Sequence, residues 1–105
     1  MERKTNRKVI QEFAKKLRKD FKDAKVILFG SRAKNEELLN SDYDVIVVSK
    51  KFEGINFYER TEKMYDYWNQ KELLEAICYT PKEFMEKSSR IGIVKEAVKT
   101  GIKAD

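Results

Sequence analysis

A chain of 105 residues with one cysteine and no histidine has room for one small domain, residues 1–105. It excludes internal disulfides, Cys/His zinc clusters, Ser-His-Asp triads and imidazole acid–base chemistry. Hydrophobic residues make up 41% and charged residues 39%, enough apolar surface to fold, and the longest apolar runs, 26–29 and 45–48, are far too short to cross a bilayer. With no apolar leader, a soluble cytoplasmic protein is expected. Of the net charge of +5, all lies near the start: residues 1–25 hold ten Lys/Arg against four acids, the remainder thirteen against fourteen. Such a block reads first as the solvated face of a surface helix, so nucleic acid is not the expected partner.

In chain order, Val9, Ile10, Phe13, Leu17 and Phe21 recur at helical spacing with Lys/Arg on the other face, predicting an amphipathic helix over residues 6–22. Residues 25–30, ending at Gly30, and residues 42–49, apolar on both faces after Asp44, read as buried central strands. Between them, residues 36–39 predict a short helical turn, and Asn40-Ser41 a turn. After a loop over residues 50–55, Asn56 caps a helix with Phe57, Thr61, Met64, Tyr65 and Trp68 on one side, a core stripe rather than a base-stacking platform. Residues 73–79 suit a third strand. Thr80, Pro81 and Glu83 form a capping box with proline at the first helical position, and Phe84 faces inward from that helix. Ser88 or Ser89 starts a last helix through Ile93, Val94, Ala97 and Val98, ended by Gly101. The fold class is α/β or α+β, with strand direction open.

Chemistry concentrates at three places. Gly30-Ser31 closes the first strand, where a turn can aim backbone N–H groups and the serine hydroxyl at a phosphate; Arg32 either joins that phosphate site or caps the turn. Asp42 and Asp44 lie two apart on a strand, so alternation puts both carboxylates on one face, where a hard cation such as Mg²⁺ relieves their repulsion. Glu75, inside an apolar run, reaches the same face if its strand lies beside theirs; otherwise it sits on a solvent face or edge. Three carboxylates suffice for two metal ions.

Gly30-Ser31, ten residues, then Asp42-Tyr43-Asp44 resembles the Gly-Ser-x10-Asp-x-Asp signature of minimal nucleotidyltransferase domains, relatives of the polymerase-β superfamily. Arg32-Ala33, Ser41, the apolar tail after Asp44 and the segment Cys78 to Phe84 are also similar to small archaeal and bacterial members. The resemblance implies a small mixed β-sheet flanked by helices, with Gly30, Ser31 and Arg32 at the nucleotide, and Asp42, Asp44 and Glu75 as catalytic and metal-binding residues. Two departures stand out. Members more often carry Asp where Glu75 stands, and often Gly where this chain has Asn35.

The expected activity is Mg²⁺-dependent transfer of a nucleoside monophosphate from an NTP, ATP first, to an acceptor hydroxyl, chemistry that needs no histidine. A chain this short leaves the acceptor to a partner. The resemblance implies a helical protein of the HEPN class, the toxin of a pair in which this chain is the antitoxin. The alternative is a catalytically weak binding module that occludes its partner through aromatics such as Tyr58, Tyr65, Tyr67 and Trp68; monomer, homo-oligomer and hetero-complex stay open.

Overall fold

The computed structural model describes residues 5–34, 41–89 and 92–104. Helix α1 (Asn6–Leu17) begins where the Thr5 side chain accepts from the Lys8 amide, 3.1 Å away, as the short polar side chains favoured at this position do. It buries Val9, Ile10, Phe13, Ala14 and Leu17 and turns Lys8, Lys15 and Lys16 to solvent. Each large apolar side chain buried in this way contributes about 1.5–3 kcal/mol.

The helix stops at Leu17, earlier than its periodicity predicts, with Arg18 as its cap. Arg18 Nε donates to the Ala24 carbonyl at 2.9 Å and Nη2 to the Ala104 carbonyl at 2.7 Å. The chain turns there, and Phe21 still reaches the core, stacked near Phe52 with ring centroids 5.3 Å apart.

Strands β1 (Lys25–Phe29), β2 (Tyr43–Val48), β3 (Leu74–Tyr79) and β4 (Ile102–Ala104) form a sheet in the order β3-β2-β1-β4. β1 runs antiparallel to β2 and β4, whereas β2 and β3 are parallel. The sheet is therefore mixed, and the two strands expected to be central are central. Residue alternation divides its faces. Val26, Leu28, Tyr43, Val45, Val47, Leu74, Ala76 and Cys78 pack under α1, while Ile27, Ile46, Val48 and Tyr79 pack with Val94 and Ala97 of α4 (Ile93–Thr100) and with Phe84 of α3 (Pro81–Ser88).

Helix α2 (Phe57–Met64) is capped by Asn56 as expected, but its stripe divides. Met64 is buried, and Trp68, beyond the helix end, packs edge-on against Phe13 and Tyr43 at 5.7 and 5.1 Å. Phe57 and Tyr65 stay half exposed along the β3 edge. Of the four aromatics a binding module would present, Tyr58 and Tyr65 are exposed, but Tyr67 and Trp68 are packed against the core.

The capping box of α3 forms in full, with Thr80 Oγ1 accepting from the Glu83 amide and Glu83 accepting from the Thr80 amide. The last helix begins at Gly92 rather than at Ser88 or Ser89. Both serines instead close α3, their hydroxyls donating back to the carbonyls of Met85 and Glu86, a bonding mode open to serine at either end of a helix. β4 has no counterpart in the sequence reading, since three residues are too few to display a period. The expected turns over residues 36–39 and at Asn40, and the departure at Asn35, lie outside the described residues. No helix among the described residues is long and apolar enough to cross a membrane.

Candidate active site

Asp44 is the middle of the site. It stands opposite Phe29 in the antiparallel β1–β2 register and beside Glu75 in the parallel β2–β3 register. A parallel neighbour brings its side chain to the same sheet face, so Glu75 meets the carboxylate pair instead of pointing away. Asp42 lies just ahead of β2, two residues from Asp44 and therefore on the same side. Between them, the Tyr43 amide donates to the Leu73 carbonyl at 2.9 Å, tying the acidic segment to the entry of β3.

On the other flank, β1 ends at Phe29 and Gly30 turns the chain with φ of +75°. A side chain is disfavoured there twice. Positive φ is costly for any residue with a Cβ, and a Cβ on Gly30 would lie 2.6 Å from Asp44 Oδ2. The space vacated by glycine is where the Asp44 carboxylate sits. Two successive turns follow, the Ala33 amide donating to Gly30 O and the Lys34 amide to Ser31 O, both at 3.2 Å. They hold partly exposed Ser31 at the rim.

Charge crowds at this rim. The hydrogen bond that a protonated Glu75 donates to Asp44, and then the negative charge of Asp44, push the Glu75 carboxyl above the usual glutamate range, with burial and Asp42 adding to the shift. Glu75 therefore reaches Asp44 despite standing where aspartate is the commoner residue. The acids fit a divalent cation: like charges held this close are relieved by a shared cation, and Mg²⁺ is commonly held by one or two carboxylates completed by substrate phosphate oxygens. Among the described residues, no group of three His, Cys, Asp or Glu side chains is arranged to hold a metal ion by itself.

Arg32 corrects the assignment to the nucleotide. It is 1% exposed, its Nε and Nη2 donate to the Ser41 carbonyl at 2.9 and 2.6 Å, and its Nη1 donates to Asn6 Oδ1 at 3.0 Å. The guanidinium is buried and engaged with Ser41 and Asn6, outside the turn that Arg32 belongs to. Asn6 escaped the sequence reading altogether. Its position as the first residue of α1 was the available signal, but that position alone suggests a helix end rather than a contact 26 residues away in sequence.

A depression of about 290 Å³ on the same sheet face, lined by Lys25, Ile27, Phe84 and Val98 among others, carries basic and apolar groups and no acid. The candidate site is therefore the carboxylate rim.

The family model of the nucleotidyltransferase domain matches residues 10–100. A crystal structure of a Sulfolobus solfataricus protein, assigned as a nucleotidyltransferase, superposes with a TM-score of 0.63 at 22% identity, covering 92% of this chain and 77% of that one. At that identity the likeness concerns the fold. No curated protein matches the chain.

Proposed function

The chain belongs to the nucleotidyltransferase domain family, and from that premise we propose that it transfers a nucleoside monophosphate from an NTP, with ATP the first candidate, to a hydroxyl on a protein partner. The observation that carries this reading is Asp44, flanked in register by the Gly30–Ser31 turn and by Glu75.

In this reading the Ser31 hydroxyl and the amides of the turn bind the triphosphate, as N–H groups converging at a strand end do. Asp42, Asp44 and Glu75 would hold Mg²⁺, which would supply charge neutralisation at the phosphates. Glu75, beside Asp44 in the parallel register, is the carboxylate offered to take the acceptor's proton. The acceptor oxygen bonds to the α-phosphorus, the bond from that phosphorus to the bridging oxygen breaks, and pyrophosphate leaves. The partner that fits the family resemblance is a helical protein of the HEPN class, this chain being the antitoxin of the pair, acting in the cytoplasm.

The test is to incubate the chain and such a partner with Mg²⁺ and each NTP and to take the intact mass of both proteins. A gain of whole nucleotide units on the partner is expected. Asp42→Ala/Asp44→Ala should cut the rate about 10³-fold or more, the equivalent of several kcal/mol of lost charge stabilisation. Transfer at the wild-type rate by that variant would sink the reading. A stable complex with no mass gain would favour the occluding module.

A further inference from the structure

We infer that Arg32 and Asn6 form a clamp that holds the phosphate-binding turn and the carboxylate segment at a fixed separation, acting as positioning residues for the site; this rests on the nucleotidyl-transfer reading. The chain leaves the rim after Ser31 and returns to it at Asp42. Arg32, the residue directly after Ser31, donates twice to the carbonyl of Ser41, the residue directly before Asp42. One guanidinium thus spans the two ends of the connection, whatever path lies between.

Asn6 closes the clamp from α1. Its Nδ2 donates to the Arg32 carbonyl at 3.1 Å, and its Oδ1 accepts from Arg32 Nη1 at 3.0 Å and from the Tyr43 hydroxyl at 3.2 Å. The Tyr43 ring, buried between the two aspartates in sequence, lies 3.9 Å from the guanidinium carbon. Strand alternation sends Tyr43 to the α1 side of the sheet and Asp44 to the other, so the clamp touches the backbone of the site and none of the reacting atoms. Only a planar fork makes these bonds together. A lysine keeps the charge but is a point donor on a flexible stem. Burying a cation is costly, and what this one supplies is geometry.

Arg32→Lys, Asn6→Ala and the double variant test the clamp by two measurements. The first is amide hydrogen exchange in the ligand-free chain. Exchange at Ala33 and Lys34 in the turn, and at Tyr43, should accelerate together about tenfold or more, the equivalent of one or two net hydrogen bonds, while the amides of α4 stay unchanged. The second is Mn²⁺ affinity in the presence of a non-hydrolysable NTP analogue. It should fall about 10–100-fold, as for residues that orient metal ligands, with metal-free analogue binding unchanged and the double variant no worse than Arg32→Lys alone. Asn6→Ala, which leaves the guanidinium in place, decides the matter if Arg32→Lys does not fold. Acceleration confined to the turn, or loss of metal-free analogue binding in Arg32→Lys, would overturn the clamp. A wild-type chain binding neither Mn²⁺ nor analogue would overturn nucleotidyl transfer, and the exchange rates would still decide the clamp.

Discussion

At the scale of single residues, Gly30 and Asp44 are one feature. The carboxylate occupies the volume that a side chain on residue 30 would fill, 2.6 Å from Oδ2, and the backbone there has φ of +75°. Gly30→Ala should therefore lower stability by about 1–2 kcal/mol from the left-handed backbone alone, and displace Asp44 as well. The checks are chemical denaturation together with a transfer assay, in which activity should fall further than a loss of folded protein explains. The Gly-Ser and Asp-x-Asp pairs are visible in the sequence, but not that they depend on each other, since their contact is made across two strands. Arg32 is the opposite case. Its identity beside Ser31 points to phosphate, and only its burial against Ser41 and Asn6 reveals that its donors face inward.

At the scale of elements, α3 is held at its start by more than its capping box. Arg60 of α2, 6% exposed, donates through Nη1 to Glu83 Oε1 at 2.7 Å and to the Cys78 carbonyl at 3.1 Å, joining α2, β3 and α3. The Arg60 hydrogen bond, followed by that from the Thr80 amide, holds the Glu83 carboxyl below the usual glutamate range. A carboxylate with a depressed folded pKa stabilises the fold above its unfolded value, near 4.3–4.5, and loses that contribution as pH falls through the folded value. Glu83→Gln should thus be less stable than wild type at pH 6–7, by no more than about 1 kcal/mol because the Glu83 side chain is 42% exposed and screened. The gap should close as pH falls through the lowered folded value, as measured by denaturation midpoints across a pH series.

Gly101, where α4 passes into β4, makes a second case at this scale. The helix ends there as expected, but in extended rather than left-handed backbone, and glycine is required there for space. A Cβ would lie 2.4 Å from the Ala97 carbonyl oxygen and 2.8 Å from that of Leu28. Gly101→Ala should cost about 1–3 kcal/mol, in the range of overpacked cores, and lower the Tm. The carboxylate rim, placed by other strands, should keep its metal affinity in the protein that remains folded.

At the scale of the whole molecule, the acids of the rim repel one another, and a cation that joined them would link metal binding to folding. Mg²⁺ with an NTP analogue, at about 100 times its Kd, should stabilise the chain by about 2.7 kcal/mol, seen as a Tm rise that EDTA reverses and that Asp42→Ala/Asp44→Ala lacks. Helix α1, the two central strands, the cap of α3, and the Gly-Ser and Asp-x-Asp signature were legible in the sequence because each is local. A periodicity, a β-branched run or a fixed spacing is written within a dozen residues. Whether Glu75 joined the site depended on β3 pairing beside β2 in parallel and in register, and the place of β4 at the far edge depended on β1 already being there to receive it. The sequence by itself determined the local elements and the spacing of the Gly-Ser and Asp-x-Asp pairs. The tertiary structure decided which of them meet, because strand order, register and a guanidinium buried between distant segments are set by long-range packing that no local spacing records.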